Sequence, residues 1–192
     1  MVLQEIQKIF PEPVAYIDFA SMVPSYPKYG FFMSTWGFES YYEKRKPIIA
    51  TIIENHEPKF ILANHPALRL HTTEAGPPDR LMSQDLGVLQ RNYVHHWGPV
   101  YVAGKKLDLK SAFDHRRVHV AIPGTYTLEA DVAVWIDGIR HSPGAVVSLP
   151  KGQVLVAATE GRTSVTLRWG DKLRVPEDPP PDARILFPLI VR

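Results

Sequence analysis

Between Val118 and Trp169 the chain repeats one pattern that leaves few folds open. The runs VHVAI, TYTLEA, VAVWID, AVVSL, QVLVAAT and SVTLRW alternate apolar and polar residues and are separated by PG, DG, SPG, KG and EG turns every eight to twelve residues. A period of two sends successive side chains to opposite faces of a strand. Turns at that spacing join neighbouring strands antiparallel, so the pattern predicts an antiparallel β-sandwich or a barrel-like sheet. Asp137-Gly138 fits a tight hairpin turn whose residues need positive φ.

The chain before this pattern obeys another rule. Val2, Leu3, Ile6, Ile9 and Phe10 recur at helical spacing until Pro11 and Pro13 intervene. VAYIDF (14–19) is a short apolar run that suits a buried strand, and Ser21 to Thr35, rich in aromatic residues and proline, reads as a packed loop. A helix is expected from Pro47 to about Glu57, and KFILA (59–63) is a second buried strand. Strand, helix, strand in that order predicts a parallel pair with a crossover. Residues 80–93 again show helical spacing and lead into NYVHHWGPVYVAGKKL (92–107), the seam between the two patterns. Val100 to Ala103 is a strand that Gly104 would close. The expected fold is therefore α/β plus all-β. A small parallel-sheet layer domain (1–113) precedes an antiparallel β-sandwich domain (114–192), which ends in a proline-rich linker (176–181) and a last strand within Ile185 to Val191.

Composition excludes several classes. There is no cysteine, so disulfides and thiolate metal sites are out. Lys and Arg number 12 against 11 Asp and Glu through Phe113, and 10 against 9 beyond it, so neither half is a basic arm for nucleic acid. No window approaches the roughly 18 apolar residues of a membrane span, and the N-terminus lacks the basic start and apolar core of a secretory signal. The stretch itself is expected to be soluble.

Motifs for chemistry are scarce. Neither a G-x-S-x-G nucleophile turn nor a glycine-rich phosphate loop occurs. His95-His96 would point to opposite faces of a strand, and His115 and His119 have the zinc spacing of a helix inside a strand-like pattern, so no metal site is expected. No cofactor is expected either. Glu39 and Glu43 lie one helical turn apart beside Lys44, Arg45 and Lys46, which reads as a solvated face.

The best-placed polar group is Asp18 with Asn64 and His65. All three fall at the carboxyl ends of the parallel strands, where crevices in such sheets open. Tyr26 and Trp36 in and beside the aromatic loop join them as candidate ligand-binding residues, since an aromatic face suits a sugar ring. Tyr41, Tyr42, Trp97 and Trp135 are further stacking candidates. No catalytic residue is assigned.

In order, IFPEPVAYID, FFMSTWGFESYY, PKFILANHPAL, NYVHHWGPVYVAGKKL and PGTYTLEADVAVWIDG give the chain a block pattern. It resembles the soluble C-terminal region of bacterial polytopic glycosyltransferases of the GT-C architecture, the dolichyl-phosphate-mannose-protein mannosyltransferase-like and aminoarabinose-transferase-like enzymes. VWIDG (134–138), PG (143–144) and LPKGQVLV (149–156) also resemble a PEGA-type β module. The glycosyltransferase resemblance implies a non-catalytic extracytoplasmic domain on the periplasmic side of the inner membrane. Its partners would be a membrane domain upstream in the same polypeptide and a carbohydrate or lipid-linked sugar. The enzyme would draw its sugar from a polyprenyl-phosphate donor, with catalytic acids in an early loop that this sequence does not contain. Two alternatives stand beside it: a free-standing binding or scaffold protein with a β interaction module, and a complete soluble enzyme.

Overall fold

The computed structural model describes residues 2–30, 34–70, 81–112 and 114–177. Their contacts divide them into two units, Met1–Val102 with the segment from Arg174, and Ala103–Leu173. The division falls at Val102/Ala103, and Arg174–Glu177 group with the first unit. The physical reason is a single ten-residue strand, β4 (Val100–Leu109), whose first residues pair in one unit and whose later ones pair in the other. Gly104, expected to close that strand, sits inside the ladder opposite Arg168.

In the first unit, α1 (Val2–Ile9) buries Val2, Ile6 and Ile9 on one face. β1 (Tyr16–Asp18) and β2 (Phe60–Leu62) are buried at every position and pair in parallel, Tyr16 opposite Phe60 and Asp18 opposite Leu62. Two helices form the crossover, α2 (Thr35–Lys44) and α3 (Ile49–His56). The Ser34 side chain caps α2 by accepting the Gly37 N–H, and Arg45 ends it in the left-handed conformation. Glu57 ends α3 in the same way before Pro58. α4 (Ser83–Asn92) leads directly into β3 (Tyr93–Trp97), and both β2 and β3 pair with β4. Phe60 is central to this core, stacked on Phe10 at 4.5 Å and on Tyr16 at 5.0 Å.

The second unit is all strand. β4 continues to β11 (Thr163–Trp169), then β6 (Gly124–Glu129), then β9 (Val146–Leu149), every pair antiparallel. A separate antiparallel sheet runs in the order β5 (His115–Val120), β10 (Gly152–Ala158), β7 (Val134–Ile136), β8 (Ile139–His141). One apolar cluster draws on both sheets, with Leu109, Leu128 and Leu167 from the first and Val120, Val134 and Val156 from the second, all at most 1% exposed. Asp137 and Gly138 join β7 to β8 with φ of 48° and 82°, the paired positive values of a type I′ hairpin turn. At Gly124, φ is 143° and an added Cβ would lie 2.7 Å from Trp169 Nε1, so only glycine fits there.

No helix among the described residues is long and apolar enough to cross a membrane. The expected last strand at Ile185 to Val191, most of the linker, and the loop 71–78 lie outside the described residues.

Candidate functional site

β1 ends on a chain that turns sharply. Ala20 and Ser21 both adopt left-handed φ, 69° and 56°, which costs about 1–2 kcal/mol per residue for side chains other than glycine. Asp18 offsets that cost. Its carboxylate accepts the Ser21 N–H at 3.1 Å and the Met22 N–H at 2.7 Å, and the Lys28 Nζ stands 3.6 Å away. Asp18 is fully buried and the Lys28 side chain nearly so. Burial pushes the Asp18 carboxyl above its ordinary range, against the opposing pull of the two N–H groups and Lys28. The same burial pulls Lys28 below its ordinary value. Tyr16 spans the loop, donating to the Val23 carbonyl and accepting the Val23 N–H. Its hydroxyl is pushed up to about 12, first by burial and then by the charge of Asp18.

β2 delivers Asn64 and His65 to the same edge. Asn64 clamps the backbone of Phe19 from both sides, accepting its N–H at 2.9 Å and donating to its carbonyl at 2.6 Å. His65 caps a short 3-10 turn, Pro66–Leu68, through Nδ1, which accepts the Ala67 N–H at 3.2 Å and leaves the proton of the neutral ring on Nε2. Its half-buried imidazole stacks on Phe19 at 4.5 Å and tilts toward Phe38 at 5.4 Å. Asp18, Asn64 and His65 thus converge as the strand ends predict, and each has a polar atom engaged in holding the turn after β1 or the turn after β2.

The aromatic candidates separate. Tyr26 is buried, edge-on to Tyr16 and Phe60, and its hydroxyl donates to the Phe10 carbonyl. Trp36 stands on the first turn of α2 with 83% of its surface exposed, while Phe38, two residues on, turns inward toward Phe19 and His65. Along the same helix runs a groove of about 220 Å3, lined by Gly37, Ser40, Tyr41, Lys44, Lys46 and Ile48. Both lysines are exposed at its rim. A hydroxyl and two ammonium groups suit a sugar bearing an anionic group, and an exposed indole on the same helix suits the face of a sugar ring.

Behind that groove lies a buried polar hub absent from the sequence reading. Asp85, at the start of α4 and fully buried, accepts the Tyr41 hydroxyl at 2.8 Å and the backbone N–H groups of Ile48 and Ile49 at 3.1 and 3.0 Å. The Tyr41 hydroxyl in turn accepts the Met82 N–H. Burial first, and Asp85 after it, raise the Tyr41 hydroxyl far above its ordinary value. Ile48 cannot cap α3 with its own side chain, so the cap arrives from another helix. The available signal was an acid in the first turn of α4, which ordinarily reads as a partner of that helix's own dipole.

The remaining histidines behave as strand residues. His95 is exposed and bonds the Gly98 carbonyl, whereas His96 is buried against the Arg174 carbonyl. His115 and His119 occupy one face of β5, opposite Ala157 and Gln153. Four residues of strand separate them by about 13 Å, too far to share one ion. No group of three or more His, Asp or Glu among the described residues is placed to hold a metal. Glu39 and Glu43 are exposed on α2, and Trp97 is buried with its indole N–H donating to the Glu177 carbonyl. No family model, no curated protein and no solved structure matches this chain.

Proposed function

We propose that this chain is the non-catalytic, extracytoplasmic C-terminal region of a polytopic GT-C glycosyltransferase, lying on the periplasmic side of the membrane. It contributes to recognition of the acceptor or of the lipid-linked sugar while capping the membrane domain that carries the chemistry. The observation that carries the reading is the α2 groove, where Ser40, Lys44 and Lys46 offer a hydroxyl and positive charge, on the helix whose first turn carries the exposed indole of Trp36. The strained turn at Ala20-Ser21, held by Asp18, and the His65 ring stacked on Phe19 lie at the carboxyl edge of the same unit. Asp18, Asn64 and Tyr26 act from behind as the frame, and Trp36 and His65 are the groups that meet ligand. The second unit is read as an antiparallel β-sandwich, which its single apolar cluster drawn from two sheets supports.

The test is an NMR titration of the 192-residue chain with neutral oligosaccharides and a polyprenyl-phosphate headgroup mimic. Saturable amide shifts confined to Trp36–Ile48 and the surroundings of His65 are expected with the phosphorylated ligand. They should be lost in Trp36→Ala and weakened about tenfold in Lys44→Ala/Lys46→Ala, the effect of removing charge-assisted contacts. Shifts absent at about 5 mM ligand, an affinity too weak for recognition, contradict the binding role.

A further inference from the structure

The sheet β5-β10-β7-β8 turns one face to the apolar cluster and the other outward. Along β10, Val154, Val156 and Ala158 are buried, while Leu155 between them is 39% exposed. The register aligns the outward residues in rows across the sheet. One row reads His115, Ala157, Trp135, Arg140, with Trp135 also 39% exposed. In the next, Leu155 faces Arg117, and beyond it Gln153 faces His119. Two carboxylates border these rows: Asp114 precedes His115 and stands 3.5 Å from Arg116, and Asp137, beside Leu155, is engaged at the hairpin, where its Oδ1 accepts the Leu155 N–H at 2.7 Å.

From this we infer that the outward face binds an acidic glycan, a chain of sugar rings carrying carboxylate or phosphate groups. Rows repeat along each strand every second residue, about 6.6 Å, and strands stand about 4.8 Å apart, so Arg140 adjoins Trp135 on the neighbouring strand while Arg117, two strands over and one row along, lies about 12 Å from it, on the scale of two to three sugar units. Ala157 beside Trp135 leaves the indole open on that side, where a ring can stack. Arginine's fork matches a carboxylate or phosphate with two parallel hydrogen bonds. A single-stranded nucleic acid fits less well, because such platforms stack successive bases on several aromatic rings and this face carries one. A bilayer also fits less well, because membrane-docking surfaces bury large apolar side chains, and Trp135 and Leu155 are more covered than exposed. These rows lie wholly within Ala103–Leu173, so the inference stands independently of the α2 groove and of the glycosyltransferase reading.

The experiment titrates the 192-residue chain with galacturonate hexamer, neutral maltohexaose, a thymidine oligonucleotide and vesicles containing anionic phospholipid, using calorimetry and amide shifts. Galacturonate hexamer is expected to bind and to shift Trp135, Arg140 and Leu155. Binding should weaken at least about tenfold in Arg117→Ala/Arg140→Ala and in Trp135→Ala, and weaken further as salt rises from about 50 to 500 mM. All three side chains are solvent-accessible, and an unchanged circular dichroism spectrum confirms that the variants fold. Equal binding of maltohexaose, binding only to the oligonucleotide or the vesicles, or no heat and no shift at about 5 mM hexamer, overturns the inference.

Discussion

The Asp18 carboxylate serves two backbone N–H groups and one ammonium at once, from a position with no solvent contact. Asp18→Asn puts an NH2 group where one carboxylate oxygen accepts a backbone N–H, and the expected loss at neutral pH is roughly 1–3 kcal/mol by chemical denaturation. The pH dependence is a sharper probe. Burial raises the folded-state value above the ordinary 3.8, so the fold favours the protonated side chain. That contribution is complete below 3.8 and is lost as pH rises through the folded-state value. The unfolding free energy of the native chain, less that of Asp18→Asn, should therefore fall as pH is raised from 3.8. A difference that stays flat or climbs across that window would falsify the burial assignment. From sequence, Asp18 was legible as a strand-end polar residue because β1 is bracketed by prolines and by a turn. Its partners were not, because a left-handed turn built without glycine leaves no mark in composition.

Among the helices, the joint between α2, α3 and α4 depends on one residue. Asp85→Ala strands the N–H groups of Ile48 and Ile49 and the Tyr41 hydroxyl, and should cost about 3 kcal/mol, whereas Tyr41→Phe should cost about 1–2 kcal/mol. The two should be non-additive, because they share a hydrogen bond. Denaturant midpoints measure all three variants, and an Asp85→Ala chain within about 0.5 kcal/mol of the parent, the range of an ordinary surface change, contradicts the hub. The strands of the second unit were legible because alternation is a local property. VHVAI and QVLVAAT carry it within themselves, and β5 and β10 pair where that alternation places them. α2 was only half legible, since Gly37 and a crowd of aromatic residues blur its period. The Asp85 hub was invisible because Tyr41 and Asp85 stand 44 residues apart and neither carries a pattern of its own.

For the whole chain, two kinds of order meet within β4. The sequence pattern changes near Gly104, but hydrogen bonding continues along β4 to Leu109. The α2 groove of the first unit and the outward face of the second present different chemistry, lysine with a hydroxyl in one and an indole with arginine in the other. Under the function proposed above, both would hold sugar-bearing molecules for a reaction performed elsewhere. The central claim is that a membrane domain belongs to the same polypeptide, and it is tested most directly by immunoblotting fractionated cells of the source organism with an antibody raised against these 192 residues. The account predicts one species several times longer than this chain, confined to the membrane fraction and released only by detergent. A species of the size of 192 residues in the soluble fraction would contradict it and leave a free-standing binding protein in its place.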